Sequence, residues 1–152
     1  TTVVAGRLMP LIRYDTGDLA RFVDEDCDCP LSDWRCFEFH GRQKDVLRFG
    51  GKAFTTRQVD DLISDVGGID FYRCLQDGES SLAIDVIPAP GVAVDRRQIE
   101  DCLRSALPVD RITIRQVSRF NPEPSMKFRL TARSDKLRQA PKSMSADGRN
   151  GY

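Results

Sequence analysis

Between residues 27 and 40 the sequence gathers Cys27, Cys29, Cys36 and His40, with Asp24, Glu25 and Asp26 just before them. Thiolates and an imidazole are the donors that close a tetrahedral structural zinc site. The gaps of one, six and three residues are not a standard zinc spacing. The same residues also read as reduced thiols in a loop, with His40 at a strand end. Nucleophilic catalysis by a Cys–His pair is less favoured, because no orienting acid can be identified.

Three further groups have side chains suited to binding or charge stabilisation. Thr16-Gly17-Asp18 lies in the run Pro10-Leu11-Ile12-Arg13-Tyr14-Asp15-Thr16-Gly17-Asp18-Leu19. An ionised Asp there offers two acceptor oxygens, although Thr-Gly-Asp also makes ordinary turns in which Asp bonds its own backbone. Gly41-Arg42-Gln43-Lys44-Asp45 follows, and then Gly50-Gly51. Arginine supplies a fixed fork of donors, and paired glycines suit a hairpin that needs positive φ or close approach to backbone. Pro124-Ser125-Met126-Lys127-Phe128-Arg129-Leu130 ends the series. Lys127 there reads either as a charge-stabilising ammonium or as a solvated surface lysine.

Taken in order, these groups resemble the C-terminal motifs of adenylate-forming enzymes, in the style of the phenylacetate-CoA ligase branch, over roughly residues 8–133. The resemblance implies that Asp18 holds the ribose hydroxyls of ATP and that Arg42 also contacts the nucleotide. It implies a hinge at Lys44 with Asp45 beside it, and a loop at Gly50 and Gly51 that lines a pantetheine tunnel. Gln58-Val59-Asp60 stands where the family often has an x-Ile-Glu helix start. Lys127 matches the lysine that steadies the carboxylate and α-phosphate during adenylation. Met126 replaces the usual glycine there, and Arg129 comes two residues after the lysine. Cysteine-rich loops near residue 27 also resemble those of the phenylacetate-CoA ligase branch, some of which bind metal.

The implied activity is that of a carboxylate:CoA ligase, acyl adenylation followed by thioester formation. It uses ATP/AMP with Mg2+ and coenzyme A, with zinc a further possibility. No phosphate loop or acyl pocket is legible, so the chain alone is expected not to bind ATP tightly or to adenylate an acid. The implied partners are a large N-terminal domain of the same or an adjacent polypeptide, an acyl substrate, and a CoA or carrier-protein thiol. The rival reading is a truncated, non-catalytic binding or scaffold module, zinc-stabilised or not.

The elements that must position these residues are legible from periodicity. Thr55 or Thr56 caps a helix with Val59, Leu62, Ile63 and Val66 on one face, ended by Gly67-Gly68. Ile69 to Leu75 reads as a strand, Asp77-Gly78 as a turn, and Leu82, Ile84 and Val86 as an alternating strand closed by Pro88 and Pro90. Asp95 with Gln98 forms a capping-box pattern for a second helix carrying Ile99, Cys102, Leu103 and Ala106, and Ile112 and Ile114 give a last strand. The expected fold class is α+β, with a three-stranded sheet and both helices on one face. The expected division is 1–44 as the end of a large AMP-binding domain with the hinge, 45–133 as a mobile small domain, and 134–152 as a disordered tail.

Size and composition agree with one modest core. The chain has 152 residues, with 23 Lys plus Arg against 23 Asp plus Glu, so no overall field favours nucleic acid or an anionic membrane. No apolar run reaches membrane-span length and no signal pattern is evident, so a cytoplasmic protein is expected. Five cysteines make an odd count, which argues against a disulfide framework. Thr1-Thr2-Val3-Val4 reads as a strand already under way, so a longer parent or a processed chain is expected.

Overall fold

The computed structural model describes residues 13–24, 28–120 and 128–134. The strand-like start at Thr1, together with Cys27, Lys127 and residues 135–152 of the expected tail, lies outside the described residues.

Two antiparallel hairpins lead into the main sheet. Strand β1, Asp18–Val23, pairs with β2, Cys36–Arg42, and a 3-10 turn at Gln43–Asp45 follows. Strand β3, Leu47–Phe49, pairs with β4, Lys52–Phe54. Helix α1 spans Thr56–Ile63, and β5 (Ile69–Gln76) and β6 (Ser81–Pro88) pair antiparallel. Helix α2, Arg96–Ala106, is followed by β7, Arg111–Gln116, parallel to β6, and β8, Thr131–Arg133, runs parallel to β5. The sheet order is β7-β6-β5-β8.

The local chemistry explains these elements. The Thr55 hydroxyl accepts from the Gln58 N–H while the Gln58 side chain accepts from the Thr55 N–H, a reciprocal cap that starts α1. Asp95 caps α2 by accepting from the Arg97 and Gln98 N–H groups at 2.9 and 3.1 Å. The Asp77-Gly78 pair opens a longer connection than a two-residue turn, running from residue 77 to 80. Leu82, Ile84 and Val86 alternate toward one face of the sheet, where they pack with Val59 and Ile63 of α1 and Ile99 and Leu103 of α2. Both helices therefore cover the same face, as expected. Each such side chain taken out of water contributes about 1.5–3 kcal/mol.

The α+β class stands, and β8 adds a fourth strand to the three expected. Its three residues carry no hydrophobic period, so its pairing rests on tertiary contacts. Thr131, at its start, is fully buried and donates its hydroxyl proton to the Asp45 carbonyl at 2.9 Å. That proton is then committed, so the Thr56 hydroxyl, 2.7 Å away, is the donor to Thr131. Gln76 makes a second buried tie. Its amide accepts from the Arg48 N–H at 2.8 Å and donates to the carbonyls of Arg48 and Gly78, which clips the β3–β4 hairpin to β5. The Tyr72 hydroxyl donates to Asp60 and joins β5 to α1. Burial, reinforced by this bond, pushes that phenol well above its ordinary range.

Glycine is required at two places. Gly50 and Gly51 form the turn between the register partners Phe49 and Lys52 with φ of +54° and +76°, the all-positive geometry of a type I′ hairpin. Gly41, at φ +105°, is buried against α1, and a Cβ there would lie 2.6 Å from the Thr56 Oγ1 and 2.7 Å from its Cβ. Gly51 faces open space. Gly51→Ala is therefore expected to cost about 1 kcal/mol of stability, and Gly41→Ala about 2–4 kcal/mol. Urea midpoints of the two variants decide this. Equal midpoints would mean that Thr56 yields to the added methyl without loss.

Candidate functional site

The site is built where the first hairpin meets the 3-10 turn. Asp15 and Thr16 shape the approach, with Asp15 Oδ1 accepting from the Gly17 N–H at 2.8 Å and the Thr16 Oγ1 accepting from the Asp18 N–H at 3.3 Å. Side chains other than Asp18's thus satisfy this turn, and the Asp18 carboxylate is left to face outward. Asp18 and Arg42 are direct register partners across β1 and β2, and the Arg42 Nε lies 3.3 Å from the Asp18 Oδ1. Both side chains are partly open to solvent, at 37% and 41% of their surface. An acidic acceptor beside a guanidinium fork suits a ligand carrying both hydroxyls and phosphate.

The residues expected to form a hinge lie immediately beyond. The Gln43 N–H donates to the Gly17 carbonyl at 2.8 Å, which ties it to the first hairpin. Asp45 is buried and tied to the other side, its carbonyl taken by Thr131 and its Oδ1 3.5 Å from the Arg129 Nη1. Lys44 between them is exposed. Of the three consecutive residues, the outer two are thus fixed to different parts of the fold.

Lys127 lies outside the described residues, but its flanks do not. The Phe120 and Phe128 rings are 5.4 Å apart, so the two ends of the stretch 121–127 meet. The Arg73 guanidinium sits 5.4 Å from the centre of the Phe120 ring. Asp85 orients it through a 3.0 Å ion pair and takes the Arg115 Nε at 2.6 Å on its other side. Residues 73, 85 and 115 are register partners across β5, β6 and β7, so this row of charges lies on the sheet face away from the helices.

The zinc expectation meets a different arrangement. Cys27 is outside the described residues; Cys29 and Cys36 are exposed, and Cys36 opens β2. His40 is the extra residue of a bulge, because the pairing steps from Ala20↔Phe39 to Leu19↔Gly41. Among the described residues no three His, Cys, Asp or Glu side chains are arranged to hold a metal ion, so Cys29, Cys36 and His40 do not converge as a zinc set. His40 turns instead toward Glu38, with its Nε2 3.5 Å from the Glu38 Oε2. Glu38 also accepts from Arg21 at 2.9 Å, and this bond is the main cause that lowers its carboxyl below the ordinary range.

The sequence names Thr56 as a possible cap, but Glu38, Arg57 and Thr131 do not stand out in it. The alternation Phe37-Glu38-Phe39-His40 is the signal that marks β2 and puts Glu38 and His40 on one face. A surface depression at the β5–β6 connection is lined by Asp77, Gly78, Ser80, Ser81, Asp110 and Arg111, none of them an expected site residue.

No protein-family model matches the chain, and no curated protein sequence matches it. Solved structures do. The chain is similar to the amide bond synthetase McbA from Marinactinospora thermotolerans at a TM-score of 0.51 and 17% identity, over 81% of this chain and 24% of that one. It is similar to ATP-bound MatB from Rhodopseudomonas palustris at 0.51 and 16%, over 80% of this chain and 22% of that one. A coronafacic acid ligase from Pectobacterium brasiliense matches at 0.50 and 15%, over 70% and 21%. The chain thus spans about a quarter or less of the length of each. At these identities the likeness shows the fold alone: an α+β arrangement shared with part of each of these enzymes.

Proposed function

We propose that this chain is the C-terminal part of an ATP-dependent carboxylate:thiol ligase, of the phenylacetate-CoA ligase kind. The observation that carries the reading is the pairing of Asp18 with Arg42 across β1 and β2, directly before a one-residue joint at Lys44. In this reading residues 1–44 finish the large domain and 45–133 form the mobile small one. Asp18 accepts from the ribose hydroxyls and Arg42 faces the ribose or phosphates. Gln43 stays with the first unit and Asp45 with the second, so rotation falls on Lys44. Gly50 and Gly51 line the thiol path, where the absence of Cβ at Gly51 keeps the turn thin.

The chemistry runs in two halves. The acid's carboxylate oxygen attacks the α-phosphorus of ATP, bound as its Mg2+ complex, and pyrophosphate leaves. The thiol sulfur then attacks the acyl carbonyl and AMP leaves. Lys127 supplies positive charge in the first half and is carried away by the rotation in the second. The setting is cytosolic; no helix among the described residues is long and apolar enough to cross a membrane.

The first hairpin supports a larger partner. Phe22 and Phe37 are register partners at 59% and 62% exposure, Phe39 is 51% exposed on the same face, and Trp34 is 74% exposed. A lone two-stranded hairpin is marginal in water, and an aromatic face of this kind is a surface to be covered. The large ATP-holding domain, in the same or an adjacent polypeptide, is its proposed cover.

Two outcomes are expected. Millimolar AMP added to the isotope-labelled chain should move amide resonances at residues 17–19 and 41–43, and Asp18→Asn should abolish those shifts. Shifts confined to other residues would end the nucleotide assignment. In a ligase reconstituted with its large domain, Lys127→Ala should slow pyrophosphate exchange by a few hundredfold, about 3–4 kcal/mol. Thioester formation from supplied acyl-adenylate should stay nearly intact. Exchange at the wild-type rate would remove Lys127 from the mechanism.

A further inference from the structure

A joint one residue wide leaves the orientation of the two units to contacts that cross it. Two such contacts lie side by side. Gly41 of β2 is packed against Thr56, the first residue of α1, closely enough that no side-chain atom fits between them. Next to it, Glu38 of β2 faces Arg57 of α1, with the Arg57 Nη2 3.9 Å from the Glu38 Oε1. The other Glu38 oxygen takes Arg21 at 2.9 Å and lies 3.5 Å from the His40 Nε2. On its own helix Arg57 donates to Asp61 at 3.0 Å through Nε, and its Nη2 is the atom that faces Glu38. The result is a chain of alternating charge, Arg21, Glu38, Arg57 and Asp61, that runs from β1 through β2 onto α1.

We propose that Glu38 and Arg57 are positioning residues forming a charge latch. Together with the Gly41–Thr56 seat, the latch holds the small domain in the described orientation and must open before that domain turns about Lys44. The proposal rests on the reading of Lys44 as the pivot. Both ends of the latch suit such a role. Glu38 is held by the Arg21 hydrogen bond, which also lowers its carboxyl below the ordinary range, and Arg57 is steadied by Asp61 one turn along the helix. The pair is also weak in the required sense. Its side chains are 34% and 46% exposed, and ion pairs at such sites bias an equilibrium by roughly two- to fivefold. That bias favours one orientation without preventing the other, which a buried, fully satisfied pair would do.

Residual dipolar couplings on the full chain test this without any ligand. In the wild type, amides of 18–23 and 36–42 should fit the same alignment tensor as those of 69–76, 81–88 and 111–116. Arg57→Ala should shrink or reorient the hairpin couplings while those of the sheet keep their internal fit, which also verifies that the variant is folded. Glu38→Gln should do the same, and the double variant should fall short of the sum of the two single effects, since both remove the shared Glu38–Arg57 pair while each also removes its own contact with Arg21 or Asp61. Variants whose couplings still fit the wild-type tensor would overturn the latch, as would additive effects or a wild type that already needs two tensors. Failure here with AMP shifts intact at residues 17–19 would remove the latch alone. AMP shifts lost while the couplings behave as expected would remove the nucleotide reading alone.

Discussion

One buried hydroxyl ties the candidate site to the main sheet. Thr131 donates to the Asp45 carbonyl and receives the Thr56 hydroxyl, so a single side chain joins the last strand, the 3-10 turn and the first turn of α1. The hydrophobic core reaches the same region through Leu47 and Leu130, while the hydrogen bond to residue 45 itself comes from Thr131. A buried hydroxyl without partners is costly, and so is a buried carbonyl. Here the two satisfy each other, and the Thr56 hydroxyl completes the set. Asp45 is rigid on one side of Lys44 for this reason, and Gln43 is rigid on the other through the Gly17 carbonyl.

From that anchoring the rest of the site follows. Asp18 and Arg42 sit at the register end of β1 and β2, one residue before the tie to Gly17, so their separation is set by strand pairing more than by their own attraction. The attraction itself is small at that exposure. Arg129, two residues before Thr131, reaches Asp45, and the short strand between residues 131 and 133 fixes the direction in which residue 128 leaves the sheet. The Phe120–Phe128 contact then gathers the ends of the stretch that carries Lys127.

Much of the sheet domain was legible in the sequence because its elements are locally consistent. Thr55, Gln58 and Asp95 mark helix starts by side-chain chemistry, and the alternation at Leu82, Ile84 and Val86 has the strand period. Asp18, Arg42 and Lys44 were singled out by the resemblance of their surroundings to the motifs of adenylate-forming enzymes, and the fold brings the first two together. What stayed hidden depends on partners distant in sequence. Thr131 binds Asp45 across 86 positions, and Gln76 binds Arg48 across 28. Neither residue type announces burial, since threonine and glutamine are mostly exposed. The cysteine set is read only in part, because Cys27 lies outside the described residues; Cys29, Cys36 and His40 are close in sequence, but the pairing of β2 and its bulge at His40 set where they stand.

Thr131 is the tie that fixes residue 45 to the four-stranded sheet. Amide hydrogen exchange on the wild type and on Thr131→Val, a change that keeps the shape and removes the hydroxyl, tests the claim most directly. Selective loss of protection is expected at residues 45–47, at the α1 N-terminus and at Cys74, whose N–H pairs with the Leu130 carbonyl. Strands β6 and β7 should keep theirs. Unchanged exchange at residue 45, or a uniform loss across the whole sheet, would contradict it.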